Sequence, residues 1–328
     1  MQIKIKNLSH IFSRKTPWEF QALNNVNFEV KQGEYVGVIG QTGSGKTTFI
    51  EHLNGLLLPT KGEITWIYDT EIYNKKIKQN EVNTLEVYCS NPKMKNSVRF
   101  RYNQYDENKK LIRENKRFRK IKTLRKNVGI VFQFAEYQLF KATIEEDIIF
   151  GPVSLGVPIE EAKKRAEKYI QLVGLPTSYL KRSPFDLSGG QKRRVALAGI
   201  LAMEPNCLVV DEPTAGLDPV GVKEILDIIA DLNENHNVTI INVTHDLDNI
   251  LARSKRVIIF KDGQIVRDGK PYEILNDVEF LKENNLQPPK LLEFVNKLRN
   301  KGINVPKVTT EEELIAFLND YLKSKGVN

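Results

Sequence analysis

Residues 40–48 read Gly-Gln-Thr-Gly-Ser-Gly-Lys-Thr-Thr. A short apolar run, Tyr35-Val36-Gly37-Val38-Ile39, precedes them, and Phe49, Ile50 and Leu53 follow at helical spacing. A strand, a glycine loop and a helix in that order predict a phosphate cradle. The glycines let successive backbone N–H groups turn inward at a helix N-terminus that already favours negative charge. The expected phosphate-binding set is Gly40, Gln41, Thr42, Gly43, Ser44, Gly45, Lys46, Thr47 and Thr48. Within it, Lys46 bridges the β- and γ-phosphates and the Thr47 hydroxyl holds Mg²⁺.

The rest of the chain suits such a cradle. A strand at 208–210, a helix from about 220 to 233, and strands at 238–243 and 257–260 point to a mostly parallel sheet covered by helices. The N-terminal residues alternate apolar and polar, as in Ile3 and Ile5 among lysines and again at 26–30, so they read as half-buried strands. Residues 158–203 are mainly helical, with Glu160 and Glu161 as first-turn acids. Beyond about residue 276 two amphipathic helices follow. The first carries Leu291, Leu292, Phe294, Val295 and Leu298; the second opens on a Thr309/Glu312 capping box.

Charge is concentrated rather than spread. The net charge of the 328 residues is +8, yet residues 71–126 alone hold 17 basic and 6 acidic side chains. Strand-like pieces at 64–68, 85–89 and 98–102 alternate there with Asn/Lys-rich turns, and 109–126 reads as an exposed charged helix or a loop. No run of 18 apolar residues occurs and the N-terminus lacks a secretory signal pattern, so a peripheral membrane role is the only membrane role expected. The two cysteines, Cys89 and Cys207, make neither a disulfide framework nor a metal pattern, which suits a reducing cytosol.

Two further constellations carry chemistry. Asp211 and Glu212 end the apolar strand Cys207-Leu208-Val209-Val210; one carboxylate can serve Mg²⁺ while the other polarises an attacking water. Leu187-Ser188-Gly189-Gly190-Gln191 stands just before a helix and forms a second anion-binding N-terminus. One triphosphate needs no second cradle within one chain, but two chains arranged head to tail would each close the other's site.

On these motifs the chain is identified as a member of the ATP-binding cassette (ABC) ATPases, from about residue 3 to 275. The resemblance implies an α/β P-loop NTPase with a mostly parallel core sheet, an antiparallel β-subdomain, a helical subdomain at about 134–200 and a helical dimerisation module at 276–328. It further implies that Gln133 contacts Mg²⁺ and senses a membrane partner, that Asp218 lies across a dimer interface beside nucleotide, and that His245 contacts the γ-phosphate. Ser188, Gly189, Gly190 and Gln191 are then the signature that grips ATP, and Phe12 stands where the family usually places a tyrosine under the adenine. Catalysis is assigned to Glu212, His245, Lys46 and Gln133, and Mg²⁺ to Thr47, Gln133 and Asp211. His10, His52 and His236 have no motif around them and are expected to be structural or solvent-facing.

A closer resemblance, to the ATPases of energy-coupling factor importers of vitamins and metal ions, lies in Thr16-Pro17-Trp18-Glu19, His52-Leu53-Asn54-Gly55-Leu56-Leu57, residues 131–140, Phe150-Gly151-Pro152, and residues 187–205 and 211–219. The run 213–219 and the approach 179–184 look like the second of that subgroup's two paired ATPases. The implied partners are a paralogous ATPase or a second copy, a transmembrane coupling protein and a membrane substrate-capture protein, with the chain on the cytoplasmic membrane face. The basic segment, about 67–120, departs from the family, which bridges this region with a far shorter antiparallel stretch. Anionic lipid and nucleic acid are the alternatives to a plain solvated surface there. Other importers, translation-factor ATPases and chromosome-maintenance ATPases share the motifs; the last two usually carry two cassettes or long coiled coils, and neither pattern occurs here.

Overall fold

The computed structural model describes residues 1–74, 79–95 and 98–324; Lys75, Lys76 and Lys78 of the basic segment, and residues 325–328 of the C-terminal module, lie outside the described residues. The chain opens with β1 (Gln2–Phe12) and β2 (Phe20–Val30), then β3 (Tyr35–Gly40), the glycine loop and α1 (Lys46–Leu53). Four strands follow: β4 (Lys61–Asn74), β5 (Gln79–Asn91), β6 (Phe100–Tyr105) and β7 (Leu111–Arg117). Next come α2 (Ile121–Asn127), β8 (Val128–Val131), and the helical layer of α3 (Ile144–Ser154), α4 (Ile159–Leu172) and α5 (Gly189–Leu201). The second half alternates β9 (Cys207–Asp211), α6 (Pro219–Glu234), β10 (Thr239–Val243) and α7 (Leu247–Arg253), then the hairpin β11 (Arg256–Lys261) and β12 (Gln264–Gly269). Four helices close the chain: α8 (Pro271–Leu275), α9 (Val278–Glu283), α10 (Lys290–Asn300) and α11 (Glu311–Ser324).

Two six-stranded sheets result. One has the order β12-β11-β3-β10-β9-β8 and is parallel except for β12; the other, β2-β1-β4-β5-β6-β7, is antiparallel throughout. Strands β8, β9 and β10 are buried at every residue, as a parallel sheet covered on both faces requires. Helix α1 lies between the sheets. Its Phe49 ring meets Phe28 of β2 at 5.2 Å and Phe260 of β11 at 4.9 Å. From the antiparallel sheet, Trp66 donates its indole N–H to Leu53 O at 2.6 Å, satisfying a carbonyl at the end of α1. The phosphate-loop helix is thus clamped by both sheets.

The basic segment corrects one expectation. Residues 109–126 are not one exposed helix or loop: they form edge strand β7, paired with β6, and then the short α2. Every residue of β7 is exposed, so the strand carries no apolar alternation, and its charges blunt an open sheet edge. Strands β4, β5 and β6 run longer than the apolar pieces that announced them. At the C-terminus, α11 is capped one residue later than expected: Glu313 N donates to Thr310 Oγ1 at 3.3 Å, and the Glu313 carboxylate accepts Thr309 N at 2.6 Å. Leu275, Leu281, Leu292, Val295 and Leu314 share one apolar core with Ile39, Ile250 and Ile259, so the last helices pack directly on β3, α7 and β11.

Candidate active site

Parallel pairing brings the carboxyl ends of β3, β10 and β9 to one edge: Val38 lies opposite Val243, and Val243 opposite Asp211. The residues just past those ends are the glycine loop, His245 and Glu212. Backbone conformation explains the glycines. Gly45 has φ +102, and a Cβ there would stand 2.7 Å from Ala22 O; Gly43 has φ +80. Lys46 folds back over the loop, with Nζ 2.7 Å from Gly40 O and 2.8 Å from Gln41 O. Burial pulls the Lys46 ammonium below its ordinary pKa, opposed by the charges of Asp211 and Glu212.

Burial also raises Asp211, against the pull of Lys46, His245 and a hydrogen bond with Thr47. Glu212 is raised for the same first reason, opposed chiefly by His245 and by the Thr244 hydroxyl, which donates to Oε2 at 3.3 Å. His245 Nδ1 stands 2.9 Å from Glu212 Oε1, but off the hydrogen-bond line, so that buried oxygen has no aligned donor. The backbone is bent to place it: Glu212 has φ +50 and is held by Glu212 N donating to Val243 O at 2.8 Å. A non-glycine residue there costs on the order of 1 kcal/mol or more, the kind of strain found where a side chain must be aimed.

The donor set fits Mg²⁺ and phosphate. The buried Ser44 hydroxyl has no hydrogen-bond partner, and Thr47 offers a hydroxyl beside the Asp211 carboxylate. Among the described residues no cluster of three or more His, Cys, Asp or Glu could hold a metal alone, whereas Mg²⁺ is commonly held by a few protein oxygens together with substrate phosphates. Gln133 emerges exposed two residues after β8, the strand beside β9.

Ser188, Gly189, Gly190 and Gln191 lie elsewhere, at the exposed start of α5. Ser188 Oγ accepts Gln191 N at 3.3 Å while Gln191 Oε1 accepts Ser188 N at 3.1 Å, a reciprocal cap. None of the four lines the cleft of about 650 Å³ beside the glycine loop. Asp218 is spent locally: its Oδ1 accepts Gly221 N at 2.8 Å as the N-cap of α6. Phe12 ends β1 with its ring 38% exposed, edge-on to His10 at 4.5 Å.

Sequence reasoning missed three connections. Gln41 donates to Asn284 O at 3.2 Å, and the cleft wall includes Gln287 and Lys290, so C-terminal residues border the loop. Arg193 on the signature helix makes a buried bidentate pair with Glu136, three residues past Gln133: Nη2 donates to Oε1 at 2.8 Å and Nε to Oε2 at 3.2 Å. His10 and His52, which no motif marks, touch each other at 3.1 Å between β1 and α1. None has a local signal, because each joins residues far apart in sequence.

The two-sheet scaffold, the glycine loop and the carboxylate pair define an ABC-type ATPase, and comparison with known proteins agrees. The profile of the ABC transporter family matches residues 23–215, and the chain belongs to that family. Within it, the chain is 61% identical over 327 residues, 99% of its length and 98% of the relative's, to the energy-coupling factor transporter ATP-binding protein EcfA2 of Mycoplasmopsis synoviae. Among solved structures, cbiO1 of Clostridium perfringens, part of the ABC transporter complex cbiONQ, superposes with a TM-score of 0.61 at 31% identity, covering 90% of this chain and 98% of that one. The dimeric post-hydrolysis ATP-binding cassette MJ0796, bound to ADP and Pi, gives 0.61 at 27% identity over 82% and 98%.

Proposed function

We propose that the chain is the ATP-binding and hydrolysing subunit of an energy-coupling factor transporter, powering uptake of vitamins or metal ions through membrane-embedded partners. The observation that carries the chemistry is Glu212: a buried carboxylate with one unsatisfied oxygen, steered by Thr244 and His245, at the strand end facing the glycine loop. Backbone N–H groups of residues 40–48 cradle the phosphates, and Lys46 exchanges its loop carbonyls for phosphate oxygens. Phe12 offers a stacking face to the adenine. Thr47, Asp211 and Gln133 would hold Mg²⁺, which would supply neutralisation of phosphate charge.

Glu212 then polarises a water for in-line attack on the γ-phosphorus as the bond to the β–γ bridging oxygen breaks. Burial, by raising Glu212, makes it a stronger base for that water. His245, exposed beside it, contacts the γ-phosphate. Closure comes from Ser188, Gly189, Gly190 and Gln191 of a second chain, a paralogous ATPase or another copy, with Asp218 at the same interface. The dimeric state of the similar ADP-bound cassette supports this arrangement.

The membrane partner docks on the exposed aromatic patch that follows Gln133. Phe134 and Tyr137 lie 6.2 Å apart, and Phe140 and Phe150 meet edge-to-face at 5.1 Å with Lys141 over both rings. No helix among the described residues is long and apolar enough to cross a membrane, which fits a chain attached to the cytoplasmic face through such partners. Likeness over the full length to a transporter ATP-binding protein favours this over a nucleic-acid-associated ATPase.

The test is Glu212→Gln in the assembled complex. ATP should still bind and hold the ATPases together, while hydrolysis falls about 100- to 1000-fold, the usual loss when one transition-state stabiliser is removed. Wild-type turnover in that variant, or a single chain that encloses ATP on its own, overturns the reading.

A further inference from the structure

The basic segment holds a cavity lined by neither the glycine loop nor the strand ends that carry Asp211 and Glu212. Residues 88–95 and 98–101 border a half-open hollow of about 570 Å³, within the range of small-ligand pockets, and Lys93, Lys95, Arg99, Arg101, Tyr88 and Ser90 line it. No carboxylate is among its lining residues, and among the described residues none of the four cations forms an ion pair. All four cations are exposed, and together they give the hollow a positive potential that draws an anion.

The cavity is pre-formed. Asn91, 2% exposed, pins the connection: its Nδ2 donates to Pro59 O, Thr60 O and Lys95 O at 3.2, 2.9 and 3.0 Å, and its Oδ1 accepts Lys95 N at 2.7 Å. Arg14 Nη1 donates to Met94 O at 2.6 Å and ties the same connection to the residues after β1. Asn115 of β7 sets the far wall. Its Oδ1 accepts both Arg101 Nη1, at 2.8 Å, and the Tyr88 hydroxyl, at 2.7 Å, so guanidinium and phenol stand side by side. Asn115 itself is held by its N–H donating to Asn103 Oδ1 at 2.8 Å.

We propose that this cavity binds a compact, multiply charged phosphate group, at a site distinct from the glycine loop and the Asp211–Glu212 strand end that take the phosphates of ATP. Arginine forks and lysine ammoniums together are the set that recognises phosphate oxygens, and a fixed Arg101 loses little freedom on binding. A compact hollow suits one clustered phosphate group better than a nucleic-acid strand, which needs a long groove. A soluble oligophosphate and an anionic phospholipid headgroup present the same chemistry.

The test uses the full chain with its glycine loop saturated by a non-hydrolysable ATP analogue and Mg²⁺. Three probes are titrated: inorganic tripolyphosphate, phosphatidylglycerol vesicles and a 24-nucleotide single-stranded RNA. Two variants are compared, Lys93→Gln/Arg99→Gln in the cavity and Lys109→Gln/Lys110→Gln in the β6–β7 turn of the same segment. The expected result is binding of tripolyphosphate or of vesicles that weakens at least tenfold in the cavity variant and less than twofold in the turn variant. Tripolyphosphate binding then identifies a soluble ligand, and vesicle binding without it a headgroup. Equal weakening by both variants shows diffuse charge attraction only and overturns the proposal. So does binding of neither compact probe, or binding of RNA alone. Failure here leaves ATP hydrolysis untouched, and so is separate from any failure of the ATPase reading.

Discussion

Lowering the pH should loosen the nucleotide half-site through one buried pair of histidines. His52 lies on α1 with no exposed surface, its Nδ1 2.7 Å from Thr48 O. A carbonyl accepts only, so Nδ1 carries the hydrogen and Nε2 is bare. His10 Nδ1, 3.1 Å from that Nε2 and 3.2 Å from Leu58 O, must then be the donor to both. One tautomer pair satisfies every contact, and it requires His52 to be neutral. A proton added to His52 would set N–H against N–H in a dry space. Burial accordingly pulls His52 down from 6.5 to about 4, with the Thr48 and Leu58 carbonyls opposing, and lowers His10 as well. Between about pH 6.5 and 4 the unfolded chain therefore takes up a proton that the native chain refuses. Stability from His52 is full above pH 6.5 and declines as pH falls towards 4, by about 1.4 kcal/mol per unit. From pH 7 to 5 the loss is about 2 kcal/mol. Asp211, Glu212 and Glu51, raised by burial, have the opposite sign, so total stability is the wrong readout. The right one is a difference. Urea unfolding at pH 7 and 5, followed by the fluorescence of Trp66 packed against α1, is compared between wild type and His52→Gln. The wild type should lose about 2 kcal/mol more than the variant over that interval. Parallel pH profiles for the two proteins would refute the buried-neutral assignment.

Three further outcomes follow from contacts at the site. Phe12→Ala should weaken a fluorescent ATP analogue about 2- to 10-fold, the worth of one aromatic stack, while Phe12→Tyr retains affinity; equal binding by all three removes Phe12 from the adenine site. Arg193→Ala strands the Glu136 carboxylate and should cost about 3 kcal/mol in urea unfolding, whereas Arg193→Met with Glu136→Leu recovers most of it; a loss under about 1 kcal/mol contradicts a tightly paired buried bridge. Asp248→Ala removes the carboxylate that accepts Lys290 N and Leu291 N, each at 3.1 Å, and should expose α10 to limited proteolysis at concentrations that leave the wild type intact.

What the sequence announced and what it hid divide along the range of the interaction. The glycine loop, Asp211-Glu212 and the Ser188 helix start are local arrangements in which neighbouring residues fix backbone shape and charge together. Each could be placed from a few consecutive letters. Strand β7 could not, because an edge strand exposed on every residue has no buried face to leave an alternating signature. Nor could the links from His10 to His52, Arg193 to Glu136, or Gln41 to Asn284, which exist only once sheets and helices have packed. At the start of α11 two adjacent threonines offer equivalent oxygens, and only the packed helix chooses between them.

Charge supplies an argument for the proposed pairing of two helix ends, one from each of two chains, around one ATP. Around the glycine loop, Lys46 and the start of α1 offer positive charge, yet Asp211 and Glu212 stand within reach and offset part of it. In the proposed reading, the outer side of a γ-phosphate arriving there is left for donors from the second chain. At the start of α5, Ser188 and Gln191 satisfy each other's backbone groups, while Gly189 and Gly190 carry no side chain to block their own N–H groups. That end offers backbone donors, yet none of its residues lines the cleft beside its own chain's glycine loop. In the proposed dimer each surplus meets the other's deficit. ATP then favours closure, and hydrolysis, by releasing the γ-phosphate, removes the charge that joined the two faces.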